Sequence, residues 1–383
     1  MRAEVYLDYA ATAPLLPDAA LAVAAGQRLV GNPSSDHEAG RAAADALALA
    51  RRSVARLLGV TPDEVVLTSG GSESNALALW GTFAPRRFTG HLVTTAVEHS
   101  AVLENACALR DLGVAVTVVD PGPSGHVDAA AVGAAIRPDT ALVSVMHANN
   151  ETGALQPVRE IAALAGAAGV PVHTDAVHTA GKIPIGALGA TLISVSAHKF
   201  GGPRGIGALA VASGHRLSPL IRGGSQQDGR RAGTENVAGA MGMAAAADVC
   251  LQRMTTGHRR AMQARRERLI AGLASAGAEP TVTGPVLAET VSLRFDGIRG
   301  DTLADALDLH GIYVSTGSAC HARSETVSHV LAAQGLSEQD ARSTVRFSFG
   351  PQVSDQDIDR VVAVTARAVD LLRRTAGVVG ASR

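Results

Sequence analysis

Aromatic residues make up only 3% of these 383 residues. Recognition of nucleobases by stacking needs a platform of such rings, and the chain has little material for one. An excess of either charge is equally absent. Lys plus Arg number 34 against 35 Asp plus Glu, for a formal net charge of −1, with no basic block. Nucleic-acid binding therefore has no electrostatic support. Cysteine is scarce: Cys107, Cys250 and Cys320 lie far apart, with no C-x-x-C pair. That excludes a disulfide framework and a Cys-rich zinc site, and points to free thiols in a reducing cytoplasm. No run approaches the roughly 20 apolar residues of a membrane span, because the Ala-rich stretches carry Arg and Asp. The start, MRAEVYLDYAATA, lacks the basic-then-apolar pattern of a signal peptide. Lysine is rarer still. Of the 34 basic residues, only Lys182 and Lys199 are lysines.

What is present is a globular composition, 46% hydrophobic and 18% charged, long enough for a large core and two domains. An extended arm over 5–16 precedes helices expected at 18–30 and 36–58. Strands and helices then alternate. Strands are expected at 64–68, 91–95, 114–119, 140–146, 170–174, 192–195 and 206–211, and helices at 76–83, from His99, at 128–136 and at 157–168. Such alternation predicts an α/β protein with a mainly parallel sheet covered by helices on both faces. Further on, helices are expected over 236–276, 301–310, 325–335 and 355–372, and strands at 289–295, 312–314 and 343–348. The tail after Arg374 reads as frayed. The larger domain is expected to span 15–255, and the smaller, α+β, domain to combine 1–14 with 256–383.

Residues 191–211, TLISVSAHKFGGPRGIGALAV, stand out. A buried strand runs into His198 and Lys199, a glycine-rich turn follows, and a second apolar run begins at Ile206. Lys199 thus sits on a turn between rigid neighbours. In a chain that otherwise uses Arg, it marks a place where a primary amine is needed. Lys forms a Schiff base with an aldehyde, and Arg does not. Ser69 to Asn75 joins a strand to a helix through small residues. That is how a backbone offers N–H groups to phosphate, and it is equally consistent with a plain connection capped by Ser72. Asp175 ends a buried strand, where an acid is costly unless partnered. In an open α/β sheet, ligands bind at the carboxyl ends of the strands. Ser69–Ser72, His99, Asn150, Asp175 and Lys199 all fall at such ends. Cys107 and Cys250 lie in apolar helices and read as inert fillers of the core. Cys320, in a small polar stretch beside His321 and Arg323, is where a reactive thiol is expected.

S-x-H-K before a Gly-rich turn resembles the lysine motif of the class V aminotransferases, more narrowly the cysteine desulfurases. The likeness runs from Leu7 to about Gly350. It implies a fold-type-I transferase with a seven-stranded sheet, holding pyridoxal 5'-phosphate on Lys199. By the same resemblance His99 stacks on the cofactor ring and moves protons, and Asp175 keeps the ring nitrogen protonated. Gly71, Ser72, Ser196 and His198 hold the phosphate. Asn150, from N-N-E-x-G, lies near the phenolic oxygen and the substrate. His178 stands where the family commonly has Gln, and it too can donate to that oxygen. Thr234, in R-x-G-T, reaches the phosphate of a neighbouring subunit, which implies a homodimer. Arg346, in R-F-S-x-G, clamps the substrate carboxylate through its bidentate fork. Cys320, in S-x-G-S-A-C, carries the persulfide.

The implied reaction turns L-cysteine into L-alanine and a protein-bound persulfide for a sulfur-acceptor protein. Iron–sulfur assembly, tRNA thiolation and a dedicated biosynthetic pathway stay open as destinations. Selenocysteine lyase and a class V C–S lyase are the alternatives within the enzyme class. A non-catalytic sulfur-transfer scaffold is the alternative outside it.

Overall fold

The computed structural model describes residues 4–316 and 327–380. Cys320, His321 and Arg323 lie outside the described residues. A short β1 (Val5–Tyr6) opens the chain, followed by α1 (Pro17–Gly26) and α2 (Glu38–Leu58). Then come β2 (Val65–Thr68), α3 (Gly71–Phe83), β3 (His91–Thr95), α4 (Ser100–Asp111), β4 (Ala115–Val119) and α5 (Ala129–Ala134). β5 (Thr140–Ser144), α6 (Val158–Ala167), β6 (Val172–Asp175), β7 (Leu192–Ser196) and β8 (Gly207–Val211) complete the first sheet. Next are α7 (Val237–Thr255), α8 (His258–Ala274), β9 (Ala278–Pro280), β10 (Thr290–Phe295), α9 (Gly300–Asp308) and β11 (Ile312–Tyr313). The chain closes with α10 (His329–Ala333), α11 (Glu338–Arg342), β12 (Thr344–Ser348) and α12 (Asp355–Gly380).

The central sheet has seven strands in the order β2-β8-β7-β6-β5-β3-β4. β8 is antiparallel to both its neighbours, and all other pairs are parallel. This is the α/β architecture of fold type I. Its strands are apolar on both faces because helices cover both. Val65, Val93, Val143 and Ile193 face the layer of α1, α2 and α7. Val66, Leu92, Leu142 and Leu192, one residue away in each strand, face α3 and α4. The two-residue period of a strand makes that division. A third cluster holds Leu7, Leu293, Phe295, Phe347 and Ile358, around the antiparallel sheet β12-β10-β9.

Several expected bounds move. Helix α3 starts at Gly71, not Ala76, so Ser72 and Glu73 belong to its first turn. A short helix, α11, and a short strand, β9, were not anticipated. α10 is only five residues long. α12 runs on to Gly380, through the tail expected to fray. Cys107 is exposed, not a core filler, because α4 turns Val102, Ala106 and Leu109 inward and position 107 outward. Cys250 is buried as expected, and burial pushes its thiol up to about 11.

The arm expected at 5–16 crosses between the two sheets. It bonds to β12 through Tyr9 N–H to the Ser348 carbonyl and Ser348 N–H to the Leu7 carbonyl. It then bonds to the lysine turn through Ala13 N–H to the His198 carbonyl and Leu16 N–H to the Gly201 carbonyl. Among the described residues no helix is long and apolar enough to cross a membrane.

Gly207 lets β8 approach the turn after β2. A Cβ there would lie 2.7 Å from the Gly70 Cα and 2.6 Å from the Val195 carbonyl oxygen. Both are main-chain atoms that cannot swing aside. Gly207→Ala should therefore cost about 1–3 kcal/mol of stability, read as a lower urea midpoint. An unchanged midpoint would mean that the Gly70 turn yields freely.

Candidate active site

Lys199 ends a single 3-10 turn that follows β7 directly. Its Nζ donates to the Ala10 carbonyl at 2.6 Å and the Ala11 carbonyl at 2.9 Å. The amine stands over a cavity of about 420 Å³. Gly71, Ser72, His99, Asn150, Asp175, His178, Ser196, His198 and Arg346, all singled out from the sequence, line that same cavity. They come from different connections, yet nearly all of those connections follow the carboxyl end of a strand.

The phosphate end is built from main chain. Helix α3 presents its N-terminus beside Ser72, with Ser196 and His198 opposite. A dipole and free N–H groups suit an anion there. A Cβ on Gly71 would lie 2.7 Å from Val177 Cγ2, so glycine admits the close approach of the two loops. Glu73 closes the turn by accepting from Ser69 N–H at 2.7 Å. Burial works against its charge. The Arg231 guanidinium at 2.9 Å and the Ser69 hydrogen bonds nevertheless hold its carboxyl below the usual range. That ion pair also anchors the 222–236 loop, as does buried Gln227, which accepts from Leu67 N–H at 2.9 Å. Thr234, on the same loop, is exposed and does not line the cavity.

Asp175 occupies the middle. One carboxylate oxygen accepts from Asn75 Nδ2 at 2.7 Å and the other from Val177 N–H at 2.9 Å. Asn75 lines the cavity and was not singled out; its place one turn into α3 became visible only with the helix start at Gly71. His178 lies beside it. Its Nε2 is 3.0 Å from the Thr290 hydroxyl, and its buried Nδ1 has no protein partner. Burial, with Lys182, Lys199 and Arg346 nearby, lowers its pKa well below the ordinary value, so the ring is neutral. Lys182 donates to the His178 carbonyl at 2.9 Å, and burial pulls its pKa down to about 8 against the pull of Glu289. Both lysines of the chain thus sit around the site.

His99 caps α4, its Nδ1 accepting from Ala101 N–H at 3.0 Å. Burial lowers its pKa, Asp175 opposes, and Lys199 and His329 add to the lowering. Behind it lies fully buried Glu98. Its Oε1 accepts from the Thr95 hydroxyl at 2.7 Å and Met146 N–H at 2.8 Å, and its Oε2 has no partner. Burial raises its pKa to about 8, against those two hydrogen bonds and helped by the Asp175 charge.

At the far end, Arg346 on β12 is buried. Nη2 donates to Asp8 at 2.7 Å and Nη1 to the Asn150 carbonyl at 3.0 Å, and among the described residues Nε has no partner. The second Asn of the pair, Asn150, faces the cavity. Asn149 is buried and accepts from the N–H groups of Glu151 and Thr152 to shape the turn. Glu151 and His329 also line the cavity and were not singled out from the sequence: Glu151 stands in N-N-E-x-G, where Asn150 alone was chosen, and His329 carries no local motif.

The donor set fits pyridoxal phosphate on its own terms. It joins an amine, a carboxylate, an anion cup, an unpartnered imidazole nitrogen and an unpartnered guanidinium nitrogen in one cavity. The profile of the aminotransferase class-V family matches residues 5–361. A cysteine desulfurase IscS of Dictyoglomus turgidum is 40% identical over 380 residues, 97% of this chain and 96% of that protein. The solved structure of a NifS-like protein superposes with a TM-score of 0.90 at 33% identity, covering 97% of this chain and 100% of that one. A structure of SspA in complex with cysteine superposes with a TM-score of 0.81 at 35% identity, covering 91% of this chain and 99% of that one.

Glu98 generates a prediction. The folded state keeps a proton on it up to about pH 8, whereas an unfolded chain releases it near 4.5. Its contribution to stability therefore falls as pH rises through that window. Glu98→Gln has no such slope. The difference in unfolding free energy between variant and parent should grow from about pH 4.5 to about pH 8, by at most about 1.4 kcal/mol per pH unit. A difference that stays flat in urea titrations would place the ionised form in the core.

Proposed function

The chain belongs to the aminotransferase class-V family, and from that premise we propose how it works as a cysteine desulfurase, taking L-cysteine to L-alanine and passing sulfur to Cys320. The observation that carries the reading is the convergence of Lys199, His99, Asp175 and Arg346 on one cavity. Bound pyridoxal phosphate supplies an aldehyde for the substrate amine and a ring that draws electrons away from the substrate's α-carbon.

The chain's residues do the rest. Lys199 would hold the cofactor through its amine, and the same amine would serve as the base for the α-proton. Asp175, fixed by Asn75 and Val177, keeps the ring nitrogen protonated. Ser72, Ser196, His198 and the α3 N-terminus take the phosphate, and Gly71 gives it room. His99 would cover the ring face, and it carries its proton on Nε2, since Nδ1 is occupied by Ala101 N–H. Neutral His178 and Asn150, both on the cavity, would hydrogen-bond the phenolic oxygen. Arg346 offers its unpartnered Nε to the substrate carboxylate while Asp8 fixes its plane.

Cys320 is assigned through its motif, as the thiolate that receives sulfur and hands it to an acceptor protein. Thr234, exposed on an anchored loop, is assigned to the phosphate of a second copy, which makes the working form a homodimer. The hydrophobic clusters support domain boundaries at 15–255 and at 1–14 with 256–383. One buried side chain, Val330, crosses to the first cluster. Free thiols at Cys107 and Cys250 suit a cytoplasmic setting.

Incubation with L-cysteine should yield alanine and one added sulfur on Cys320 by mass spectrometry. Cys320→Ala should abolish the adduct; a full-rate persulfide in that variant would remove Cys320 from the mechanism. Arg346→Lys loses the planar fork, so KM for L-cysteine should rise about 10-fold or more, with kcat less affected. An unchanged KM would place the carboxylate elsewhere.

A further inference from the structure

We propose that His329 is a catalytic residue of this reaction, the acceptor of the substrate's thiol proton. The inference rests on the desulfurase reading above. His329 opens α10 and lines the cavity with Lys199, Asn150 and Arg346. Its place is set on both sides. Ser328 Oγ donates to Glu151 Oε2 at 2.5 Å and caps the helix by accepting from Leu331 N–H at 3.2 Å. Val330 and Leu331 are buried.

The tautomer follows from its partner. His329 Nε2 lies 3.0 Å from the Glu98 main-chain carbonyl oxygen. A carbonyl only accepts, so Nε2 carries a hydrogen, and Nδ1 is the nitrogen left to take up a proton. His99 is fixed the opposite way. Its Nδ1 accepts from a main-chain N–H, so its neutral ring carries the hydrogen on Nε2. Two imidazoles on one cavity are thus held as a donor and an acceptor by groups whose own roles are fixed.

The acceptor has a task that no other group takes. The substrate amine goes to the cofactor aldehyde, the carboxylate to Arg346 and the α-proton to Lys199. The thiol proton is left. Glu151, Asp175, Lys199, Arg346 and His99 line the same cavity as His329. Glu151 is engaged by Ser328, Asp175 by Asn75 and Val177, and Glu98 stands behind as a buried acid. The step balances. A sulfur–sulfur bond forms between the acceptor thiolate and the substrate sulfur. The carbon–sulfur bond breaks with its electron pair left on carbon. The S–H proton passes to His329 Nδ1 and returns to that carbon, completing the methyl group of alanine. One thiolate is consumed and one persulfide anion is produced.

His329→Gln tests this in the holoenzyme. Glutamine keeps an N–H for the Glu98 carbonyl and removes the base. At pH 7, alanine formation from L-cysteine should fall on the order of 100-fold in kcat, the range of a lost general base, with KM little changed. Above the thiol pKa of about 8.5 the substrate sheds its own proton, so the ratio of parent to variant rate should approach one by pH 9.5. A merely structural lesion would not recover in that way. A loss that stays constant from pH 6.5 to 9.5, or a variant within twofold of the parent at pH 7, would overturn the assignment. His329→Asn, expected to follow the same pH course, takes its place if the glutamine variant does not fold. A parent enzyme that makes no alanine would sink the desulfurase reading and this inference together; an active parent with a pH-independent variant sinks only this one.

Discussion

The contact between Lys199 Nζ and the carbonyl oxygens of Ala10 and Ala11 ties the site together. The amine comes from the central sheet and the carbonyls from the N-terminal arm. The same arm is stitched to β12 on its other side, and it carries Asp8, which sets the plane of Arg346. A short stretch of extended chain therefore fixes the distance between Lys199 and Arg346. Neither sheet alone contains a complete site. The arm is bonded at both ends through main-chain groups, a rigid way to hold two layers in register.

Around that frame, most polar groups that face inward already have a protein partner. Asp175 is held at both oxygens, His99 and Ser328 cap their helices, and Glu98 and Asn149 hold loops through main-chain N–H groups. Asn75 Oδ1, His178 Nδ1 and Arg346 Nε, on three residues that line the cavity, are among the buried polar atoms with no partner among the described residues, as is Glu98 Oε2 behind them. Buried polar atoms without partners are costly, so their grouping on one cavity says where compensation is to come from. The histidines also show how burial sets chemistry. His178 and His198 are held neutral by desolvation and neighbouring cations, which leaves them able to accept or donate at neutral pH.

Much of this was legible before folding. The alternation of apolar strands and helices specified a mainly parallel sheet, because both faces must be covered when strands are apolar throughout. The small-residue turn after β2, the acid ending β6 and the lysine after β7 could be read as one site, since strand ends in such a sheet converge. What escaped was which neighbouring residues turn into the cavity. Asn75 was read as the end of the turn after β2, and its place in α3 showed only when that helix proved to begin at Gly71. Glu151 and His329 are brought to the cavity by packing. Cys107 was misjudged because apolar composition around a helix does not say which way each position faces.

The order of residue types along the chain determined the sheet, the amine at position 199 and the acid at 175, since each follows from periodicity or from a place at a strand end, while the arginine at 346 was marked by the resemblance its motif carries. Folding alone decided that the arm would bridge the two sheets, that Asp8 would pair with Arg346, and that two histidines far apart in sequence would face one cavity as opposite tautomers. Those are contacts between distant segments. They depend on how layers stack and which main-chain groups remain to be bonded, and neither is written in any local stretch of sequence.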